Sequence, residues 1–262
     1  MDNSKLIKHI VKWLSSYSKS SNTKGFVIGV SGGIDSAVTS TLCCKTGLPT
    51  ICIEIPIHQS KKELERSKNH INWLKNNYAN VESKYIDLTN SFEEIKKSLV
   101  EKSNNQNNLA LANSRSRLRM LTLYYYAAIN NFLVVGTGNK VEDFGVGFYT
   151  KYGDGGVDIS PIADLMKSEV RSIGLEMSIN NEIIIADPTD GLWDDTRTDE
   201  NQIGASYDEL EWAMIELNKG KKSSNFHGRK KEVFDILLKF NLANNHKMVP
   251  IPICEIPQNI KS

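Results

Sequence analysis

The hydrophobic pattern along the first half of the chain switches repeatedly between short unbroken apolar runs and a helical spacing. Apolar residues from Leu6 to Leu14 recur at helical spacing, which predicts an amphipathic helix within residues 3–20. The unbroken runs are short and are bounded by glycine, proline or polar residues, as buried strands are. The pattern predicts strands at 26–30, 50–55, 81–88 and 132–135, and helices at 37–44, 59–77, 92–100 and 109–130.

The predicted strands at 26–30 and 50–55 do not alternate apolar with polar residues, which is typical of a parallel sheet covered by helices on both faces. Strands and helices also follow each other in the order of repeated βαβ units. We therefore predict an α/β fold with a doubly wound, mainly parallel, Rossmann-like sheet. At 262 residues the chain is most simply a single domain over 1–262. Its parts would be a helix at 3–20, a sheet-bearing core at 25–190, and C-terminal helices with a tail at 200–262.

The second half of the chain has a less regular pattern. The polar stretch at 101–108 predicts a surface loop, and the acidic stretch at 192–200 predicts a mobile lid. Residues 249–257 form an apolar, proline-rich tail, which we expect to lie in a groove, with a partner subunit as one candidate. The remaining predicted elements are a helix at 170–177, a final strand at 183–186, and helices at 207–217 and 232–240.

A glycine-rich turn joins the first predicted strand to the next helix, with the sequence Gly-Val-Ser-Gly-Gly-Ile-Asp-Ser at residues 29–36. Gly32 and Gly33 can adopt positive φ and lack a Cβ, so backbone amides can close around an anion. The start of the helix adds unpaired N–H groups and the positive end of its dipole. The turn therefore favours phosphate, and Asp35 beside a polyanion is a candidate Mg²⁺ ligand.

This turn lacks the lysine of the P-loop pattern Gly-x-x-x-x-Gly-Lys-Ser/Thr. The segment Ser-Gly-Gly-Ile-Asp-Ser instead resembles the loop of the ATP pyrophosphatase superfamily, whose members split ATP between its α and β phosphates and form adenylates. A plain Gly-Gly turn is the alternative interpretation. It does not explain why strand, glycines, acid, hydroxyls and helix occur in this order.

Charge and cysteine content narrow the range of partners. The chain carries 32 basic and 31 acidic residues, a net charge of +1, which indicates no broad surface for nucleic acid or for anionic membranes. Its 4 cysteines lack metal-binding spacing, which fits a reduced cytoplasm. We find no secretion signal and no apolar segment of the roughly 18 residues that a membrane span needs.

A second glycine-rich segment begins after the fourth predicted strand, at the same edge of the sheet as the first. It contains Gly136, Thr137, Glu142 and the block Phe-Tyr-Thr-Lys-Tyr-Gly-Asp-Gly-Gly-Val-Asp at residues 148–158. Together with the first loop, this block closely resembles the ammonia-dependent NAD synthetases, and the match extends from residue 25 to 247. A glycine-rich surface loop is the alternative, and it does not account for the interleaved charged residues.

The resemblance implies an adenine nucleotide alpha hydrolase-like fold and a role for each matched residue. Asp35 and Glu142 would coordinate Mg²⁺, and Lys167 would meet phosphate as a point charge. Asp35, Lys167 and Asp158 are the implied catalytic residues, with Asp158 as a candidate acceptor of the ammonium proton. The implied ATP-binding residues are Gly29, Val30, Ser31, Gly32, Gly33, Ile34, Asp35, Ser36, Thr137, Lys167 and Thr189. The implied deamido-NAD-binding residues are Arg117, Lys151, Asp158, His246 and Lys247, although His246 could equally be an ordinary surface histidine.

The implied reaction is the amidation of deamido-NAD to NAD, the final step of NAD biosynthesis. The nicotinate carboxylate would attack the α-phosphorus of ATP and displace pyrophosphate, and ammonia would then displace AMP from the NAD-adenylate. Such chemistry needs positioning and charge neutralisation, so we expect no protein nucleophile. Because one helix precedes Gly25, we expect no glutaminase domain and free ammonia as nitrogen donor.

The resemblance also implies a homodimer with dinucleotide sites near the subunit interface. The long helix at 109–130 is a candidate interface through Leu121, Tyr124, Tyr125 and Ala128. Burial of the same residues inside one subunit fits their spacing equally well.

Two features of the chain limit what can be carried over. Residues 56–73 are short and lysine-rich compared with relatives, so we assign no ATP contact there and keep Arg66 as a candidate. Arg115 and Arg119 lie two residues from Arg117 on a helix and point elsewhere, so the three arginines cannot serve one ligand.

Two other kinds of protein are compatible with the first loop. A tRNA-modifying ligase of the same superfamily should carry a basic tract or an RNA-binding domain, and the balanced charge indicates neither. A nucleotide-sensing module would bind ATP without turnover. Pyrophosphate release with and without deamido-NAD separates these alternatives.

Overall fold

The computed structural model describes residues 2–99, 105–189 and 198–261. Within these ranges, a parallel sheet contains β1 (Phe26–Gly29), β2 (Thr50–Glu54), β3 (Val81–Tyr85) and β4 (Leu133–Val134), in the order β3-β2-β1-β4. The α-helices are α1 (Asn3–Ser20), α2 (Ile34–Lys45), α3 (Lys61–Asn77), α4 (Thr89–Leu99), α5 (Asn105–Asn130), α6 (Lys167–Glu176), α7 (Asn181–Ile184), α8 (Asp199–Ile203), α9 (Tyr207–Asn218), α10 (Gly228–Met248) and α11 (Gln258–Lys261). A π-helical turn spans Val141–Val146 and a 3₁₀ turn spans Ser223–Asn225.

Strand β1 lies inside the sheet, and its side chains alternate between two layers of helices. Phe26 pairs in register with Thr50 of β2 and with Leu133 of β4. Phe26 and Ile28 pack in one core with α1, α2 and α6, whereas Val27 packs on the opposite face against α5. Helices therefore cover both faces, which confirms the predicted doubly wound α/β fold.

A second hydrophobic core lies beside the sheet core and is formed by the π-turn, α8, α9 and α10. Its buried side chains include Val141 and Val146 of the π-turn, Tyr207 of α9 and Phe234 of α10. The π-turn follows β4 closely in the chain. The second core therefore fixes a segment that starts at the edge of the sheet.

The structure shows that the predicted strand at residues 183–186 is wrong. Residues Asn181–Ile184 form α7, with Asn180 as its N-cap residue. Ile183 is fully buried in the sheet core, whereas Ile185 is 71% exposed. The isoleucines at 183–185 therefore lie on a helical turn with one side buried, whereas a buried strand would have both faces covered.

Several predicted boundaries also change. Residues 105–108 of the predicted 101–108 loop belong to α5, and residues 101–104 lie outside the described part of the chain. Residues 192–197 of the predicted 192–200 lid also lie outside it, and Asp199–Ile203 form α8. The predicted helix at 232–240 is the middle of α10, which continues to Met248.

The apolar tail is exposed on this subunit. Residues 249–257 follow α10 without helix or strand, and Ile251 and Ile253 are 66% and 84% exposed. The expected groove is therefore not provided by the described part of the same chain. A groove on a partner subunit stays a prediction.

No helix in the described ranges is both long enough and apolar enough to cross a bilayer.

A buried histidine joins α3 to α2, the helix that follows the first glycine-rich loop. The Nε2 atom of His70 lies 2.9 Å from the Ser40 hydroxyl oxygen, and both side chains are fully buried. The imidazole also stacks on Trp73, with 5.8 Å between ring centroids. Burial lowers the pKa of His70 from 6.5 to about 4, so the ring is neutral at pH 7.

We expect the free energy of unfolding to decrease as the pH falls from about 6.5 toward 4. The unfolded chain binds a proton at His70 in this range, whereas the folded chain excludes it, so the contribution is complete above pH 6.5 and is lost below it. The loss from this group is about 2 to 3 kcal/mol by pH 4.5. Urea denaturation of the wild type and of His70→Gln at pH 7 and pH 4.5 measures it.

The control is His227→Gln, because His227 is exposed. His227→Gln should lose as much stability on acidification as the wild type, whereas His70→Gln should lose less. Equal losses in all three proteins would contradict the assignment.

Candidate active site

A cavity of about 430 Å³ opens at the edge of the sheet where the strands end. Its walls come from the loop after β1, the connection from β2 to α3, and the glycine-rich segment after β4. Lys247 and Met248 at the end of α10 also line it. Ligands of open parallel sheets bind at this edge, so the cavity is the candidate active site.

The loop between β1 and α2 has a conformation that requires glycine at one position. Gly32 has a φ of +87°, and a Cβ there would lie 2.6 Å from the carbonyl oxygen of Glu63. Gly33 has a φ of −91°, so of the two glycines that can adopt positive φ, Gly32 is the one that does so. The Ser36 hydroxyl donates to the Gly33 carbonyl oxygen at 3.0 Å and lies 3.1 Å from the Ser31 hydroxyl oxygen. These hydrogen bonds within residues 31–36 stabilise the conformation of the loop.

Helix α2 begins at Ile34, directly after this loop. In the described part of the chain, no side chain caps the N–H groups at its start. Ile34, Asp35 and Ser36 line the cavity, so these N–H groups and the positive end of the helix dipole are at the site. A helix start of this kind is an anion-binding feature, as the sequence predicted.

Lys167, the first residue of α6, is the centre of a buried charged cluster. Its side chain is 3% exposed, and its Nζ atom lies 2.5 Å from Asp35 Oδ2 and 3.0 Å from Glu142 Oε1. The ammonium also lies 4.6 Å from the centroid of the Tyr207 ring. The starts of α2 and α6 and the π-turn therefore converge on one charged group.

The pKa values in this cluster indicate an excess of negative charge. Burial raises the pKa of Asp35, the charge of Lys167 opposes this rise, and the charge of Glu142 adds to it. Burial lowers the pKa of Lys167, but the two carboxylates outweigh it and raise the pKa above its ordinary value. Burial, with the charges of Glu142, Asp154 and Asp35, raises the pKa of Asp143 to about 8. The cluster is therefore suited to accept a further cation.

Two buried side chains that the sequence analysis missed hold these carboxylates. Tyr207 donates its hydroxyl proton to Glu142 Oε1 at 2.6 Å. Asn139 donates from Nδ2 to Asp35 Oδ1 at 3.3 Å, and its Oδ1 accepts from the Glu142 N–H at 3.2 Å. Asn139 lies two residues before Val141, the first residue of the π-turn, and an asparagine just before a helical turn is a capping signal, so it could have been found from sequence. No local signal links Tyr207 to Glu142.

Residues 54–67 contribute to the cavity wall, although we assigned no ATP contact to 56–73 apart from Arg66. Gln59 and Arg66 both line the cavity. Arg119 Nη2 donates to Gln59 Oε1 at 2.7 Å, and Arg66 Nε donates to the Gly32 carbonyl oxygen at 3.1 Å. This segment was underestimated because its contacts come from α5 and from the first loop, which are distant in sequence.

The three arginines of α5 point in different directions, as predicted. Arg115 is buried with its guanidinium 4.8 Å from the centroid of the Phe92 ring, whereas Arg119 reaches the cavity. Arg117 donates to the carbonyl oxygen of Lys151 at 3.3 Å.

Two more residues predicted for deamido-NAD contact each other at the protein surface. Lys151 Nζ donates to the His246 carbonyl oxygen at 2.6 Å, in an exposed contact. Among the described residues that line the cavity, Arg117, Lys151 and His246 are absent. The structure therefore does not gather these three residues around the charged cluster.

Asp158 also lies outside the described lining of the cavity. Its carboxylate accepts from the Val134 N–H at 2.8 Å and from the Tyr124 hydroxyl at 3.0 Å. Gly32 is likewise absent from the described lining, because its loop position faces α3. The predicted residues that do line the cavity are Gly29, Val30, Ser31, Gly33, Ile34, Asp35, Ser36, Thr137, Glu142, Lys167, Thr189 and Lys247.

Comparison with known proteins gives the chain a family. A family model described as NAD synthase matches residues 6–250. The chain is 35% identical over 213 residues to the NH(3)-dependent NAD(+) synthetase of Mesoplasma florum, which covers 80% of this chain and 84% of the relative. These matches confirm the family predicted from the two glycine-rich loops.

Solved structures agree with the sequence matches. The NMN synthetase from Francisella tularensis superposes with a TM-score of 0.84 at 30% identity, over 98% of this chain and 99% of that one. The NH3-dependent NAD synthetase from Campylobacter jejuni, solved with the nitrate ion, superposes with a TM-score of 0.78 at 27% identity, over 97% and 100%. The predicted adenine nucleotide alpha hydrolase-like fold is thereby confirmed, and the chain belongs to the NAD synthase family of ligases.

Proposed function

We propose that this chain uses ATP to amidate the nicotinate carboxylate of deamido-NAD, with free ammonia as nitrogen donor. The reaction would pass through an NAD-adenylate and release pyrophosphate and AMP. The observation that carries the proposal is the cluster of Lys167, Asp35 and Glu142, which lies in the cavity beside the uncapped start of α2. A buried cation and open N–H groups at one place are suited to the phosphates of ATP.

ATP is proposed to lie along the first glycine-rich loop. Residues 29–36 would hold its phosphates through backbone N–H groups and through the Ser31 and Ser36 hydroxyls. Thr137 and Thr189 line the same cavity from two other segments, and Thr189 donates its hydroxyl proton to Glu63 Oε1 at 3.0 Å. Lys167 would neutralise phosphate charge at the floor of the cavity.

Asp35 and Glu142 are proposed to hold Mg²⁺. Both offer a carboxylate oxygen to the same ammonium, so the two oxygens converge, and hard oxygens are the ligands that Mg²⁺ prefers. In the described ranges no group of three or more His, Cys, Asp or Glu side chains is arranged to hold a metal ion. Two protein carboxylates therefore fit a Mg²⁺ that takes its other ligands from phosphate and water, and the ion would supply further positive charge to the phosphates.

The chemical step needs a leaving group, because a carboxylate does not react directly with ammonia. In the proposed first stage, a carboxylate oxygen forms a bond to the α-phosphorus of ATP, and the bond to the pyrophosphate oxygen breaks. In the second, the ammonia nitrogen forms a bond to the acyl carbon, and AMP leaves with the electrons of the broken C–O bond. Positioning and charge neutralisation by the cavity are sufficient for both stages.

The second stage releases a proton that an acid of the protein can accept. Sequence reasoning favours Asp158, whose carboxylate accepts from Val134 and Tyr124 away from the described cavity lining. Asp143 lies next to Glu142 in the chain and lines the cavity, so its carboxyl group is at the site where that of Asp158 is not. We therefore propose Asp143 for this role and retain Asp158 for binding deamido-NAD.

Amidation of nicotinate mononucleotide is a second candidate function. One of the solved relatives is named an NMN synthetase and superposes over 98% of this chain. The cavity of about 430 Å³ is in the range of a site for one small ligand, and residues predicted for the dinucleotide lie outside it. The reacting carboxylate is the same in both substrates, so the cluster would serve either.

Turnover with each substrate tests the proposal directly. We expect the chain, given ATP, Mg²⁺, ammonium and deamido-NAD, to form NAD, AMP and pyrophosphate in equal amounts, because each amidation consumes one ATP at its α-phosphorus. Liquid chromatography with mass detection measures all three products. Replacing deamido-NAD by nicotinate mononucleotide should lower kcat/KM.

A higher kcat/KM with the mononucleotide would favour the second candidate. Glutamine in place of ammonium should give almost no product, because amide hydrolysis needs a glutaminase. Full activity of the purified chain with glutamine would contradict the proposed donor. Pyrophosphate release without either carboxylate substrate would indicate a different function.

The proposed Mg²⁺ ligands can be tested by Asp35→Asn and Glu142→Gln. Each variant replaces one charged oxygen, so we expect NAD formation to fall at least about 10-fold and the Mg²⁺ concentration for half-maximal rate to rise. The control is Asp164→Asn, which removes an equal charge at a carboxylate 94% exposed and paired with Lys140. An unchanged Mg²⁺ requirement in both site variants would exclude these residues as ligands.

A homodimer is proposed to form through one face of α5. Leu121, Tyr125 and Ile129 are 64%, 61% and 60% exposed, and their four-residue spacing places them on one side of the helix. Tyr124, adjacent in the same helix, contacts Asp158, and Arg117 lies one turn before Leu121. Residues proposed for deamido-NAD thus flank an exposed apolar row, which supports a dinucleotide site at the subunit interface.

A cytoplasmic location stays a prediction from the cysteine content.

Tyr125→Glu should convert the dimer to a monomer, because it places charge in the centre of the apolar row. Sedimentation equilibrium measures the mass, and kinetics should show a higher KM for deamido-NAD. Leu242→Glu is the control, since Leu242 is 81% exposed on α10, outside this face. A wild-type monomer, or a dimeric Tyr125→Glu, would contradict the proposed interface.

A further inference from the structure

Side chains of α10 donate hydrogen bonds to the carbonyl groups at the end of the π-turn. Asn241 Nδ2 donates to the carbonyl oxygens of Phe144 and Gly145 at 3.0 Å and 2.9 Å. Asn244 Nδ2 donates to the carbonyl oxygen of Val146 at 2.8 Å. Carbonyl groups at a helix end have no partner within the helix, so α10 caps this turn from a distant part of the chain.

The next turn of α10 continues the same row of contacts. Lys247 Nζ donates to the carbonyl oxygens of Gly147 and Tyr149 at 2.9 Å and 2.8 Å. Gly147 has a φ of +63°, and a Cβ there would lie 2.4 Å from the Asn244 Cβ. The loop backbone therefore lies directly against the helix, and glycine is required both for conformation and for space.

The capped turn includes the backbone of Glu142. The N–H groups of Gly147 and Phe148 both donate to the Glu142 carbonyl oxygen, the second at 2.9 Å. Phe144 and Phe148 line the cavity from the same segment. A shift of the carbonyls at residues 144–147 would therefore move the backbone that carries the Glu142 side chain.

We propose that Asn241 and Asn244 are positioning residues of the active site, which hold residues 141–149 so that the Glu142 carboxylate faces Asp35 and Lys167. The inference rests on the proposed function through the role of Glu142 in holding Mg²⁺. In each of these contacts a side-chain amide of α10 donates to a backbone carbonyl oxygen of the turn, and the side chains of the turn take no part. The backbone that carries Glu142 is thus held by α10, about 100 residues later in the chain, while Tyr207 and Lys167 bind the carboxylate itself.

The test uses Asn241→Asp and Asn244→Asp, singly and together. Aspartate keeps the shape of asparagine, but it turns the donor into a charged acceptor that faces a carbonyl oxygen. Asn245→Asp is the matched control, because Asn245 is the next residue of the same helix, is exposed, and gains the same charge. Near-ultraviolet circular dichroism and Tm establish that each variant is folded, and if the double variant does not fold, the single variants decide.

Two readouts are independent of turnover. Hydrogen exchange of peptides covering 141–149 should become roughly 10-fold faster in each single variant, since each loses at least one capping bond. Calorimetric titration of Mg²⁺ in the presence of a non-hydrolysable ATP analogue should show affinity weakened by about 10-fold. Asn245→Asp should match the wild type in both measurements.

Exchange at 141–149 equal to that of Asn245→Asp would overturn the inference. Faster exchange with unchanged Mg²⁺ affinity would also overturn it, because the turn would then be held without positioning Glu142. A wild type that binds Mg²⁺ with the analogue but forms no NAD would refute the proposed reaction and leave this inference standing.

Discussion

The buried ammonium of Lys167 lies between the carboxylates of Asp35 and Glu142, and this contact determines where three segments of the chain must meet. A buried charge is costly unless it is paired and hydrogen-bonded. Loss of one partner leaves an uncompensated charge, which costs about 3–5 kcal/mol in other proteins. The starts of α2 and α6 and the π-turn are therefore held to one another by charge as well as by packing.

The parallel pairing of β1 and β4 is enough to bring two of these segments together, and no further contact between the loops is needed. Strands β1 and β4 are neighbours in register, with Phe26 beside Leu133, and both run toward the same edge. The chain after β1 carries Asp35, and the chain after β4 carries Glu142, so the two acids emerge side by side. Lys167 reaches them because α6 packs on α2 in the sheet core.

Much of this arrangement could be predicted from local sequence because local physics determines it. The apolar runs of β1, β2 and β4, the glycine-rich turn at 29–36 and the acidic loop after β4 each have a signal within a few residues. The strand predicted at 183–186 fails because periodicity cannot distinguish a short buried strand from a half-buried helical turn. The fold class therefore survives the error in this single element.

The parts of the site that the sequence did not show depend on long-range contacts. Tyr207 reaches Glu142 across 65 residues, and Arg119 reaches Gln59 across 60. Neither residue has an unusual local setting, and an amphipathic helix would contain a tyrosine or an arginine for packing or solubility alone. Only the three-dimensional pairing of helices with the glycine-rich loops places these two side chains at the site.

The charged cluster also connects the two hydrophobic cores. Asp35 and Lys167 belong to helices of the sheet core, whereas Glu142 lies on the π-turn and Tyr207 on α9, both in the second core. The start of α6 also contacts the second core, through Met166 and through the hydrogen bonds of Ser168 to Glu211 of α9. A movement of α9 and α10 relative to the sheet would therefore disturb the charged cluster and the packing around it together. The cluster has more carboxyl groups than ammonium groups, so Lys167 alone does not balance their charge. A bound cation shared by Asp35 and Glu142 would therefore oppose such a movement more strongly than Lys167 alone. A cation bound at the site is thus expected to stabilise the packing of the two cores on each other.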